Sequence, residues 1–161
     1  MTLLRVLRRV SAARIANRDE FCEAEFWSAA NKGPDQQLSV YRAPATEAVR
    51  IHAEHSASAG MNPPRDGAVL NVFDGSERAH LVESPREGGY FAMTDAAHME
   101  LHFGTPEAVR EYAEWVRVTL AARRTDVARH ALRDYARERL AANDAEWVRF
   151  VETSPKGSSW R

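Results

Sequence analysis

Three residues in the second half of the chain have the types and the spacing of a metal site. His98, Glu100 and His102 alternate with the apolar residues Met99 and Leu101. On a β-strand alternate side chains share one face, so the three polar groups would point the same way. Two neutral imidazoles and a carboxylate suit a divalent ion such as nickel or zinc. The pattern predicts such a site, and the alternative is the polar face of a half-buried strand.

Three other histidines are candidates to complete a metal site. They are His52, His55 and His80, and the sequence does not give their distances from the predicted strand. Each is also compatible with an ordinary core or surface position. A metal-dependent enzyme or a metal sensor at the strand histidines is therefore one alternative function.

Arginines form a second pattern. Arg129, Arg133 and Arg137 recur every four residues in a helix predicted over 125–142, and residues 1–18 contain five arginines and no acid. Stripes of this kind can follow a phosphate backbone. Acidic residues interleave in the same predicted helix, however, which is typical of a solvated face with internal ion pairs. A nucleic-acid binder is thus an alternative that the sequence does not favour.

The motifs of the common enzyme classes are absent from the sequence. It contains no glycine-rich dinucleotide motif, P-loop, nucleophile elbow, HExxH or CxxC. The absence of these motifs argues against an enzyme but does not decide the question. Cys22 is the only cysteine, which excludes an intrachain disulfide and predicts a cytoplasmic protein. We interpret Cys22 as a small buried hydrophobic residue rather than a nucleophile.

Length and composition predict one globular domain. The chain has 161 residues, of which 44% are hydrophobic and 28% charged, with a formal net charge of −1. No apolar run approaches the roughly 20 residues that a membrane span needs. We predict a single α+β domain over 1–152 and a flexible C-terminal tail over 153–161.

The hydrophobic pattern indicates which elements must position these residues. Helices are predicted at 3–16, at 44–58 with Gly60 as its end, at 106–120 after Thr105, and at 125–142, before a final apolar segment at Trp147. Strands are predicted at 37–43, 68–73, 78–83, 89–94 and 97–103, whereas 21–29 fits either a helix or a strand. Together they predict a mostly antiparallel sheet with helices on one face, ferredoxin-like in its first half, and two helices at the C-terminus.

One segment carries a family resemblance. Residues 37–60 read QLSVYRAPATEAVRIHAEHSASAG, and the loop and strand that follow continue to residue 73. This stretch resembles a small ferredoxin-like family, some of whose members carry a nickel-binding label. The resemblance implies a ferredoxin-like fold and a homodimer, and it marks His52 as a candidate functional residue. If 21–29 were a strand, it would form the family's central hairpin with 37–43.

The sequence thus predicts a non-catalytic binding protein that engages a protein partner or a small ligand or metal. Its size without a catalytic motif is typical of phage or mobile-element accessory proteins, including inhibitors and immunity proteins. A homodimer is expected because a short sheet leaves an edge strand and a face to cover. No membrane partner is expected.

Overall fold

A computed structural model describes residues 2–8, 11–31, 37–72 and 79–161. Its strands are β1 Leu3–Leu7, β2 Gln37–Arg42, β3 Asp66–Val72, β4 His80–Glu83, β5 His98–His102 and β6 Arg124–Ala128. Its helices are α1 Ala12–Ala16, α2 Arg18–Asn31, α3 Ala48–Ser58, α4 Ala92–Ala97, α5 Pro106–Val118, α6 Leu120–Arg123, α7 Arg129–Ala141 and α8 Ala145–Thr153. Short 3-10 turns lie at Ala45–Glu47 and Gly157–Trp160.

The six strands form one sheet in the order β4-β5-β2-β1-β3-β6, and each neighbouring pair is antiparallel. The predicted α+β fold with a mostly antiparallel sheet is confirmed. Helices α5 and α7 correspond to the two helices predicted at 106–120 and 125–142. Within the described ranges, no helix has the length and apolar character needed to cross a bilayer.

Helices cover both faces of the sheet, whereas the sequence predicted helices on one face. Leu3 and Leu7 of β1 pack in a cluster with α2 and α5. Leu4 and Val6, on the opposite face of the same strand, pack in a second cluster with α3, α7 and α8. A strand that is apolar at consecutive positions must be buried on both sides, so β1 lies in the middle of a three-layer structure.

The N-terminal segment differs from its prediction for a related reason. Residues 3–16 were expected to form one helix, but β1 comes first and α1 begins only at Ala12. Leu3 and Leu7 are four residues apart, and this spacing puts two side chains on one face of either a helix or a strand. Residues 21–29 lie within α2, so the hairpin that a strand there would form with β2 is not present.

Two further predictions are corrected. The strand expected at 89–94 is replaced by a loop and α4, so that β4 pairs with β5 and not with β3. The helix expected from residue 125 begins at Arg129, because β6 precedes it and buries Val127 against β3. Helix α5 agrees with its prediction, since the Thr105 hydroxyl accepts a hydrogen bond from the Ala108 amide.

The C-terminal segment packs on the domain and does not form the flexible tail expected for 153–161. The Trp160 side chain is fully buried against Trp147 and Phe150, and its Nε1 donates a hydrogen bond to the Met61 carbonyl at 3.0 Å. A Cβ on Gly157 would lie 2.3 Å from the Val151 carbonyl oxygen, so this turn requires glycine. This packing could not be predicted from the sequence, because Trp160 is a single large apolar residue in an otherwise polar segment.

Replacing Trp160 tests the docking. We expect Trp160→Ala to lower the free energy of unfolding by about 3–5 kcal/mol, the usual cost of a large cavity in a core. Lys156→Ala, an exposed change in the same segment, is the control and should have little effect. Urea unfolding monitored by circular dichroism measures both variants. A Trp160→Ala protein as stable as the control would show that the segment does not contribute to the core.

Candidate functional site

The two strands at the centre of the sheet separate soon after they meet. β1 pairs with β2 only through Leu3 opposite Arg42 and Leu4 opposite Tyr41, whereas its ladder with β3 runs along the whole strand. We call the space between residues 5–8, at the end of β1 and just beyond it, and residues 37–40 of β2 the wedge. Backbone groups that a continued ladder would pair must find other partners there.

Arg5 provides one of those partners within the wedge and also reaches the helix beside it. Its Nη1 donates to the Ser39 carbonyl at 3.0 Å, and its Nη2 donates to the Glu25 carbonyl on α2. The guanidinium carbon lies 5.9 Å from the centre of the Phe26 ring. Burial lowers the pKa of Arg5 and the nearby Glu25 carboxylate opposes that shift, but an arginine stays protonated in a protein. The wedge therefore holds a fixed cation.

Glu25 is the acid of this region. Its side chain is buried, and Oε2 accepts a hydrogen bond from the Arg8 amide at 3.3 Å. That contact satisfies a backbone donor just beyond the end of β1. One carboxylate thus stands close to two arginines, Arg5 and Arg8.

A cavity of about 430 Å³ opens at the wedge. We call it the central cavity. Its lining residues come from β1, α2, β2, α3 and the loop before α4, which lie on both sides of the sheet. They are Arg5, Val6, Arg8, Ala24, Glu25, Ser39, His55, Ser58, Ala59 and Arg86. Three guanidinium groups face one carboxylate, so the cavity is positively charged.

A tyrosine and a histidine form a hydrogen-bonded pair at the cavity. The Tyr41 hydroxyl lies 2.7 Å from His55 Nδ1, and the two rings meet edge to face. Burial lowers the pKa of His55 well below its usual range, and the positive charge of Arg5 adds to that effect. Burial also raises the pKa of Tyr41. Both side chains are therefore neutral at physiological pH.

A serine and a second histidine form another pair. His98 Nδ1 lies 2.6 Å from the Ser84 carbonyl oxygen, and its Nε2 lies 3.0 Å from Ser39 Oγ. A carbonyl oxygen only accepts, so Nδ1 carries the proton and Nε2 of the neutral ring must accept from the Ser39 hydroxyl. Arg86 Nη2 lies 3.4 Å from the same hydroxyl oxygen and donates to it. Burial lowers the pKa of His98, which favours this neutral form.

The structure brings together two of the three residues predicted to bind a metal. His102 Nε2 lies 3.1 Å from Glu100 Oε2, and His80 stands opposite His102 in the β4–β5 ladder. His98 uses both ring nitrogens in the contacts described above, so it would have to release them to bind an ion. In the described part of the chain, no group of three potential ligands converges. The nickel or zinc site remains a prediction.

The predicted arginine stripe lies on α7. Arg129, Arg133 and Arg137 line one shallow depression of about 420 Å³ together with Arg65 and His130. A wider cleft of about 1000 Å³ shares residues with both this depression and the central cavity. The stripe is thus one end of a basic surface that reaches the wedge, and nucleic-acid binding stays an alternative prediction.

The sequence did not predict the central cavity. Its residues are spread from β1 to the loop before α4, and none belongs to a motif. The signal that could have found it is Arg5 itself, a charged residue in the middle of the apolar run Leu3–Leu7. Comparison of the chain with protein-family models, with curated proteins and with solved structures finds no match.

Buried histidines make the stability of the domain depend on pH. Burial lowers the pKa of His52 and of His55 in the folded state, whereas both return to about 6.5 on unfolding. Below about pH 6.5 the unfolded chain binds protons that the folded chain does not. The free energy of unfolding therefore decreases as the pH falls below that value. Each histidine contributes a slope of at most about 1.4 kcal/mol per pH unit.

Urea unfolding between pH 5 and pH 8 measures this slope. We expect His55→Gln to have a shallower slope below about pH 6.5 than the wild type. His130→Gln changes an exposed side chain and should keep the wild-type slope. A His55→Gln slope equal to that of the wild type would show that His55 takes up its proton in the folded protein.

Proposed function

We propose that this protein binds a small anionic ligand in the central cavity. The observation that carries the proposal is the charge of the lining: Arg5, Arg8 and Arg86 surround a space that holds one carboxylate, Glu25. A volume of about 430 Å³ suits a small molecule and not a polymer. The sequence predicted a binding protein for a partner, a ligand or a metal, and this proposal names the ligand class.

The arginines retain the capacity to bind an anion. The bonds from Nη1 and Nη2 of Arg5 go to backbone carbonyls, which are neutral, and its buried Nε has no partner in the described structure. Within the same ranges, neither Arg8 nor Arg86 forms a side-chain ion pair. The planar guanidinium matches the two oxygens of a carboxylate or phosphate. Ligands with one or two such groups and a polar body therefore fit the lining best.

The other side chains of the cavity would orient the ligand. His55 is neutral, so it offers hydrogen bonds without adding charge. Ser39 presents a hydroxyl whose direction is fixed by His98 and Arg86. A ligand that carries a hydroxyl or carbonyl next to its acidic group would satisfy both residues.

The partner predictions concern other parts of the molecule. β4 and β6 are the edges of the sheet, and a second copy of the chain or another protein would pair there. The proposed homodimer and protein partner therefore leave the central cavity free. An accessory role in a phage or mobile element, in the cytoplasm, is consistent with a ligand-binding domain of this size and stays a proposal.

Isothermal titration tests the proposal with succinate, inorganic phosphate and the neutral analogue succinamide. We expect at least one anion to bind and succinamide not to bind. Arg8→Ala and Arg86→Ala should each weaken anion binding about tenfold or more, the effect of losing a charge-assisted hydrogen bond.

Arg110→Ala is the matched control, because Arg110 is exposed on α5 and does not line the cavity. It should bind anions like the wild type. The proposal is rejected if neither succinate nor phosphate binds, or if the Arg8 and Arg86 variants bind them as tightly as the control.

A further inference from the structure

The Ser39–His98 pair has the arrangement of a nucleophile and its general base. In such pairs the base accepts the hydroxyl proton and a third group fixes the orientation of the imidazole. Here Ser39 Oγ lies 3.0 Å from His98 Nε2, and the Ser84 carbonyl holds Nδ1 at 2.6 Å. The tautomer that this carbonyl imposes is the one that lets Nε2 take a proton from serine.

The sheet holds this pair in place. Ser39 is on β2 and His98 on β5, and the register of these strands puts Tyr41 opposite His98 and Glu100 opposite Ser39. Ser39 and His98 are thus diagonal neighbours on one face, a distance that a histidine side chain can span. Arg5 binds the Ser39 carbonyl, so both ends of this residue are fixed.

The surroundings of Ser39 suit attack on a carbonyl carbon. Its side chain lines the central cavity, so a ligand there can reach the hydroxyl. Arg86 donates to Ser39 Oγ, which places a cation beside the position where an oxyanion would form. Because burial lowers the pKa of His98, its ring is ready to accept a proton at neutral pH.

A second serine–histidine pair in the same protein provides the comparison. Ser56 Oγ lies 3.1 Å from His52 Nδ1, and His52 Nε2 donates to the Leu7 carbonyl. Both residues are fully buried, and neither lines the central cavity. The Ser56–His52 pair therefore has similar hydrogen bonds without access for a substrate.

We infer that Ser39 is an acyl-accepting nucleophile, with His98 as its base, toward esters whose acyl part carries an anionic group. Ser39 Oγ attacks the ester carbonyl while His98 Nε2 takes the hydroxyl proton. The carbon–oxygen bond to the leaving group then breaks, and His98 gives the proton to the departing alkoxide. Water, with His98 again as the base, releases the acid and restores Ser39. The inference rests on the proposed function, because the cavity arginines must hold the anionic group.

The test compares two activated esters of similar size, p-nitrophenyl succinate, which is anionic, and p-nitrophenyl butyrate, which is neutral. We expect the wild type to release nitrophenolate faster from the succinate ester and to gain one succinyl group by intact mass. Peptide mapping should place that group on Ser39. Ser39→Ala should abolish acylation, and Ser56→Ala should retain it.

A second measurement addresses the base. His98→Gln should slow acylation by a factor on the order of 100 or more, the usual contribution of general base catalysis. If that variant does not fold, the pH dependence of the wild type replaces it, and the rate should rise with pH to a plateau once His98 loses its proton.

Several outcomes would overturn the inference. For the wild type, they are a failure to become acylated, a succinyl group that maps to another residue, equal rates with the two esters, or a pH profile without a plateau. For the variants, they are a rate in Ser39→Ala or in folded His98→Gln that equals the wild-type rate. If succinate still binds by titration in the absence of acylation, the nucleophile is wrong and the anion-binding function stands. If neither occurs, both fail.

Discussion

The structure depends on one buried cation at the place where its two central strands part. Arg5 donates to the Ser39 carbonyl of β2, which the interrupted ladder leaves without a strand partner, and also to the Glu25 carbonyl of α2. An unsatisfied buried carbonyl is costly, on the order of 1–3 kcal/mol. The same guanidinium carries a charge that backbone oxygens do not neutralise, and Glu25 is the carboxylate nearest to it along the cavity lining. The Arg5 side chain thus has two effects: it satisfies backbone where the strands separate, and it makes the cavity positively charged.

The remaining features of the site follow from the separation of the strands. Had β1 and β2 paired along their full length, the sheet would be continuous and no cavity could include residues from both of its faces. Because the ladder ends at Leu4 and Tyr41, helices α2 and α3 can both contribute to the lining. Helices on both faces then close the space around the wedge, and the Ser39 hydroxyl is left facing it.

The sequence allowed much of the fold to be predicted and little of the site. The strand around His98 and helix α5 with its Thr105 cap were identified because period-two spacing and capping chemistry are local. β1 was taken for a helix because Leu3 and Leu7 share a face in either structure. β6 was missed because its pairing with β3 is not local.

The candidate site shows the same division between local and distant information. His98 was singled out for its neighbours on the strand, but its partners Ser84 and Ser39 lie 14 and 59 residues away along the chain. Only the register of β2 with β5 brings them together. Arg5 was read as part of a basic helix face, so its burial between strands could not be foreseen.

The most direct test of the account is the free energy of unfolding of Arg5→Met, measured in urea with and without succinate. Arg18→Met is the control, because the Arg18 side chain is 65% exposed on α2. We expect Arg5→Met to lose about 1–3 kcal/mol, because the Ser39 carbonyl loses its donor, and we expect succinate no longer to stabilise the variant. An Arg5→Met protein that is as stable as the control, and that succinate stabilises equally, would contradict the account.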